Sequence, residues 1–311
     1  MKLPVVVVAT CALFLYAHGV QIITSPSGLI RYAVGDVESD VVISAAHDGA
    51  MEPPEYGKRY PNGCYDNGNC VFNSTYCTDK LSVEVCSTTL TRDTHTLNIT
   101  NHLADRIANG TGGVRPHIII CDLARSVVDV NRHIDEATFG NDNAAVVFHE
   151  YHYYVQQALG IAASGNRTVF FLDIHGQTGN NKTCLGYLID NDVPDGLIQD
   201  VVPDSQAPNT SLAQLVRVSG QSLDALLRGP ESIGGLIESS SRFQVIPSPN
   251  NPISLAGFYY HGGINLHKYA VDTVIGIQAE INVEARRTEA VRKEFSYLFG
   301  DAVLYWLKNF F

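Results

Sequence analysis

Four short runs of the chain are apolar almost without interruption. They are Val41-Val42-Ile43-Ser44-Ala45-Ala46, Pro116-His117-Ile118-Ile119-Ile120-Cys121, Thr168-Val169-Phe170-Phe171-Leu172-Asp173-Ile174 and Val274-Ile275-Gly276-Ile277-Gln278-Ala279-Glu280. Each has the length of a strand. Near-continuous rather than alternating hydrophobicity means that both faces of such strands are covered, which requires helices on each side of the sheet. Helical periodicity is expected over Thr94–Ile107, Ala144–Ala162, Ser211–Leu227 and Thr288–Trp306. Strand and helix patterns alternate, so the chain reads as an α/β protein. No linker divides it, and residues 20–311 form one expected domain. A stretch of about 53–91, rich in Gly, Asn, Pro and Cys, is too long for an ordinary connection and reads as a stapled excursion. Pro247–Gly263 reads as a second rim loop.

The N-terminal stretch is laid out for secretion. Lys2 supplies a positive charge, Val5–Tyr16 is apolar but too short to span a bilayer, and Ala17-His18-Gly19 places small residues at a cleavage site. Residues 1–19 are therefore expected to be a signal peptide, and the mature protein extracellular or luminal. Six cysteines then remain, at 64, 70, 77, 86, 121 and 184, an even number that suits complete pairing in an oxidising compartment. Cys121 and Cys184 lie near strand ends and are expected to join neighbouring strands. Glycosylation sequons at Asn73, Asn98, Asn109, Asn166, Asn181 and Asn209 agree with that address. A net charge of −11 argues against nucleic acid as a partner. The C-terminal segment Phe295–Phe311, interrupted by Asp301 and Lys308, reads as a packed helix rather than a membrane span.

Chemistry in open α/β sheets gathers at the carboxyl ends of strands. Three of the four apolar runs end in a titratable residue: His47, His175 and Glu280. The fourth is followed by Leu123-Ala124-Arg125-Ser126-Val127-Val128-Asp129-Val130-Asn131-Arg132. Two histidines, a carboxylate and two arginines on one rim suit a mononuclear zinc hydrolase. His149-Glu150-Tyr151-His152 falls one residue short of the His-Glu-x-x-His helix, and no Gly-x-Ser-x-Gly elbow occurs.

In that order, a His-Gly-type turn, an aspartate opening a helix, Arg125 leading to Val-Asp-x-Asn-Arg, an Asp-x-His strand end and a strand-borne glutamate resemble the N-formylglutamate amidohydrolase family. The likeness runs over nearly the whole mature chain. It implies a three-layer αβα, zinc-carboxypeptidase-like fold with a mostly parallel or mixed central sheet. It further implies one Zn²⁺ per chain held by His47, Asp93 and His175, with Asp93 capping the helix that follows it. Glu52, just after His47, is the alternative third ligand. Glu280 is implied as general base, Arg125 as the group that polarises the scissile carbonyl, and Asn131 with Arg132 as the grip on a substrate carboxylate. Tyr259, Tyr260 and His261 would line the mouth, and Asp173 would support the site from behind His175. The expected activity is cleavage of an amide bond in a small N-acylated, acidic substrate. The alternatives are a carboxypeptidase-like peptidase and a binding protein on the same scaffold.

Overall fold

A computed structural model describes residues 20–60, 62–77, 85–190, 197, 199–239, 242–253 and 259–311. The expected signal peptide lies outside the described residues, as do parts of the excursion and of the second rim loop. Among the described residues, eleven strands run in chain order: β1 (Ile22–Thr24), β2 (Ile30–Ala33), β3 (Val41–Ala45), β4 (Asn62–Asp66), β5 (Asn69–Val71), β6 (Val85–Ser87), β7 (His117–Cys121), β8 (Val169–Gly176), β9 (Thr183–Gly186), β10 (Val245–Ile246) and β11 (Val274–Ile281). The helices are α1 (Ser74–Cys77), α2 (Thr96–Gly110), α3 (Ile134–Thr138), α4 (Asp142–Ala162), α5 (Ala213–Ser219), α6 (Leu223–Arg228), α7 (Ile233–Ser239), α8 (Ile264–Tyr269), α9 (Val283–Arg286) and α10 (Glu289–Asn309).

The central sheet has the order β1-β2-β7-β3-β8-β11-β9-β10. Its middle is β7-β3-β8-β11, all parallel, and these strands are the four apolar runs. Antiparallel β2 and β9 flank them, so the sheet is mixed. Alternation along each strand sends side chains to two separate cores. Ile43, Phe170, Leu172 and Ile277 pack with Ile99, Leu103, Phe299 and Trp306 of α2 and α10. Val42, Phe171 and Ile119 pack with Val147, Tyr151 and Val155 of α4. A sheet buried on both faces is the three-layer αβα arrangement, and it explains the absence of polar alternation in the sequence.

Two expectations need correction. The helix foreseen over Ser211–Leu227 is two helices, because Gly220 takes a left-handed conformation (φ 70°) that stops α5, and Ser222 caps a new start for α6. Leu212, Leu215 and Leu223 are buried all the same, so the periodicity reported the right face but not the break.

The cysteine expectation also splits. Cys64 pairs with Cys77 and Cys70 with Cys86, stapling the three-stranded sheet β5-β4-β6 of the excursion. Cys121 and Cys184 do not form a cystine: they sit on β7 and β9, which β3, β8 and β11 keep apart. Both are buried thiols, and burial pushes each up to about 12. We predict that the chain lacking residues 1–19 shows two titratable thiols in denaturant and none that reacts promptly in the native state. Prompt native labelling of either, or no thiol on unfolding, contradicts this placement. The two cystines suit an oxidising setting. Among the described residues, no helix is long and apolar enough to cross a membrane.

Candidate metal centre

The turn after β3 brings its backbone against the loop after β7. A Cβ on Gly49 would stand 2.3 Å from the Leu123 carbonyl oxygen, so only glycine permits the approach. Asp48, between His47 and this glycine, caps α2 from across the chain. Its carboxylate accepts the backbone N–H groups of His95 (3.1 Å) and Leu97 (2.9 Å). Capping was expected of Asp93. Because Asp48 supplies it, the Asp93 carboxylate is released to turn inward, while the Asp93 N–H donates to the His47 carbonyl (3.1 Å).

Inward lies the group the sequence pointed to. His47 Nδ1 is 3.3 Å and His175 Nδ1 3.1 Å from Asp93 Oδ2, and the two Nδ1 atoms are 3.1 Å apart. All three residues are buried. On its far side each ring meets a carboxylate: His47 Nε2 lies 2.7 Å from Asp129 Oδ1, and His175 Nε2 lies 2.9 Å from Asp173 Oδ2. Despite burial, Asp173 and Asp93 raise His175 well above the ordinary imidazole range, so its Nδ1 proton is shared with Asp93. A cation would displace that proton and take its place among two imidazole nitrogens and a carboxylate oxygen, with the carboxylates at Nε2 fixing the ring protons there. Zinc bonds of about 2.0–2.2 Å in tetrahedral geometry put ligand atoms roughly 3.3–3.6 Å apart, slightly wider than the triangle observed. His47, Asp93 and His175 could thus hold a metal ion.

Glu52, the alternative ligand, is not in this group. It is exposed on the rim, where it pairs with Lys58 (2.7 Å) and accepts from the Ser126 hydroxyl (2.5 Å).

Behind these three residues the polar groups are tied down. Asp173 also accepts from Ser44 of β3 and lies 3.4 Å from the Asn265 amide of α8. Asp129 holds Arg125 Nε at 2.7 Å. Burial works against ionising Asp129, yet Arg125 and His47 hold its carboxyl well below the usual range. Asp93 likewise stays low despite burial, through its contacts with His175 and His47. Neither Asp129 nor Gln278 was assigned a role from sequence. Asp129 sits four residues after Arg125 in the quoted motif, and Gln278 two before Glu280 on the same strand face, so period and spacing were the available signals.

Glu280 pairs in register with His175 across β11 and β8. It is 9 % exposed and accepts a hydrogen bond from Gln278 Nε2 (3.0 Å). Burial raises its carboxyl, Asp93 adds to the effect, and His175 and Arg125 oppose it. Asn131 is engaged within the protein: its Oδ1 accepts the Asn265 N–H (2.9 Å), and its Nδ2 reaches Gln278 Oε1 (3.4 Å). A Cβ on Gly263 would strike both side chains, which accounts for glycine there. Arg132 is one-third exposed, braced by Glu136 (3.2 Å) and the Asn131 carbonyl (2.9 Å).

A cavity of about 730 Å³ opens over the group. Arg125, Arg132, Glu280, Tyr259, Tyr260 and His261 line it, so the residues expected at the mouth are there. The His149–His152 motif forms no such group. His149 is exposed, whereas His152 is buried with Nδ1 against the Tyr269 hydroxyl (2.6 Å), and burial lowers it to about 3.

No protein-family model matches the chain, and no curated protein matches it. Among solved structures, an N-formylglutamate amidohydrolase from Ralstonia eutropha JMP134 superposes with TM-score 0.51 at 11% identity, covering 90% of this chain and 98% of that one. A gene product from Agrobacterium tumefaciens gives 0.46 at 15% identity over 88% and 94% of the two chains. A metallo-carboxypeptidase from Pseudomonas aeruginosa gives 0.44 at 11% identity over 94% and 64%. The first of these shows a common fold. The likeness read from the motifs thus extends to architecture, and membership of one family is not established by it.

Proposed function

We propose that the protein is a secreted, zinc-dependent hydrolase that cleaves an amide bond in an N-acylated substrate bearing a carboxylate. The observation that carries this reading is the convergence of the His47 and His175 Nδ1 atoms on Asp93 Oδ2, with each opposite nitrogen held by a buried carboxylate. Zinc, when bound, lowers the pKa of water to about 7 and polarises the scissile carbonyl.

The remaining steps belong to the chain's own residues. Glu280 takes a proton from the attacking water as the new C–O bond forms. It returns that proton to the amide nitrogen as the C–N bond breaks, so one water is consumed and an acid and an amine leave. Gln278 fixes one oxygen of Glu280 by donating to it. Arg125 has its Nε committed to Asp129 and lines the cavity, where its guanidinium can receive the oxyanion. Asn131 and Arg132 both line the cavity and would receive the substrate carboxylate, Arg132 through its planar fork. The cystines and the sequons support the secretory address.

The test is a two-by-two comparison of kcat/KM, native protein and Arg132→Lys against a free-acid substrate and its amidated form. A charged hydrogen-bonded contact is worth about 1.5–3 kcal/mol, so the free acid should lose roughly 10–100-fold, mainly in KM. The amidated substrate should lose little. Equal losses on both would remove Arg132 from carboxylate recognition and the acidic substrate class with it.

A further inference from the structure

We propose that Arg286 is a positioning residue of the candidate metal centre, its one guanidinium holding together the three chain segments that carry Asp93, His175 and Glu280. This role rests on the hydrolase reading above.

β11 delivers Glu280 to the carboxyl end of the sheet and stops at Ile281. Asn282 then caps α9, its Oδ1 accepting the Ala285 N–H (3.0 Å), and this single turn of helix folds Arg286 back against the strand it follows. There the side chain is buried, and each of its nitrogens donates to a different carbonyl. Nε meets Ile281 O (3.0 Å), Nη1 meets Thr94 O (2.8 Å) and Nη2 meets Gln177 O (3.0 Å). These carbonyls stand one residue past Glu280, one past Asp93 and two past His175. Although Arg286 lines the cavity, every nitrogen of its guanidinium is committed to backbone. It therefore acts on the site through the chain rather than through substrate. Arg59, also buried, holds the carbonyl of Arg125 in the same manner (2.9 Å).

The sequence around the site makes room for this clamp. Gly176 lies between His175 and Gln177, and a Cβ there would stand 2.6 Å from Arg286 Cζ. Gly176 is not among the residues in the left-handed region, so the glycine answers to the guanidinium and not to the backbone. The Thr94 carbonyl, for its part, precedes a turn that needs holding. His95 is left-handed (φ 71°), a conformation that persists in a non-glycine residue where its surroundings over-determine it. Asp48 accepts the His95 N–H (3.1 Å) and Arg286 takes the Thr94 carbonyl, so the turn beside Asp93 is pinned at two consecutive residues. Burial works against the guanidinium charge, and the carboxylates of Asp93, Glu280 and Asp48 offset it.

The test compares Arg286→Ala, Arg286→Lys and Gly176→Ala with the native chain. Zinc affinity is read by competition with a chelating dye, and kcat and KM on an N-acylated acid. Arg286→Ala should bind zinc about 10–100-fold more weakly, the usual worth of groups that orient ligands. Its kcat should fall about 10²-fold, as a small misplacement of reacting groups costs, with KM within about threefold of native. Lysine keeps the charge but gathers its donors on one nitrogen, so Arg286→Lys should recover less than about tenfold of either loss. Gly176→Ala keeps every atom of Arg286 and pushes its guanidinium aside. It should reproduce both losses in kind, and it carries the test if Arg286→Ala does not fold. Free guanidinium ion, well below denaturing concentrations, should restore Arg286→Ala by about tenfold, the worth of a charged hydrogen bond. A residue needed only for the fold would lower the melting temperature and leave zinc affinity and kcat of the folded protein within about threefold of native. That outcome, full recovery by lysine, or no recovery with guanidinium would each overturn the positioning role. A native chain that holds no zinc overturns it together with the hydrolase. Zinc that Arg286→Ala weakens, in a native chain that turns over no acylated acid, upholds Arg286 and refutes the hydrolase alone.

Discussion

Glu280→Gln is expected to lower kcat by about 10²–10⁴-fold, the usual worth of general acid–base catalysis, with bound metal and KM little changed. The amide has nearly the shape of the carboxyl and can still meet Gln278, so the floor of the cavity should keep its form. What it cannot do is accept the proton of the attacking water. Glu280 is not one of the converging ligand atoms, hence metal content should hold. The pH dependence follows from its burial. A base must be ionised to act, and burial raises this carboxyl above its ordinary value. Activity should therefore be present above the raised pKa and fall as pH drops through it, with an acid limb higher than a solvent-exposed glutamate would give. A variant that keeps kcat within threefold of the native value would assign the proton transfer elsewhere.

The fold was largely legible because the sheet's centre is buried on both faces. β7, β3, β8 and β11 announced themselves as apolar runs, and their carboxyl ends carried His47, His175 and Glu280 into one cleft. The short edge strands β1 and β10 have too few residues for any period to show. Gly220 divides a helix through one left-handed residue, which an apolar repeat does not register. Cys121 and Cys184 looked like partners because each is near a strand end. Pairing depends on strand order, and three strands intervene.

At the candidate site, the convergence of His47, Asp93 and His175 was legible and the supporting contacts were not. Asp93 was foreseen as a cap that doubles as a ligand, but one carboxylate cannot face the α2 amides and the histidines at once. Asp48 takes the first task from a distance of almost fifty residues, and no local pattern carries that information. Asn131 and Arg132 are adjacent in sequence and were read as a pair. Both line the cavity, Asn131 buried against α8 and Arg132 one-third exposed. Arg59 lies in an excursion whose composition spoke only of turns and cystines, yet its guanidinium reaches the carbonyl of Arg125.

Metal affinity should follow a ladder set by distance from the converging atoms. Asp129→Ala and Asp173→Ala each remove a carboxylate that orients a ligand ring, and partners of that kind are worth about 10–100-fold in affinity. His47→Ala, His175→Ala and Asp93→Asn remove or neutralise a ligand itself and should cost more than either. Glu52→Gln should cost nothing, because its carboxylate is spent on Lys58 and Ser126 at the rim.

The most direct test of the account is elemental analysis of the purified native chain beside Asp93→Asn and Glu52→Gln. About one zinc per native chain is expected, as a three-ligand catalytic site requires. The Glu52 variant should hold the same, and the Asp93 variant little or none after dialysis against chelator. A native protein that binds no transition metal, or a Glu52 variant that loses more metal than the Asp93 variant, would contradict it.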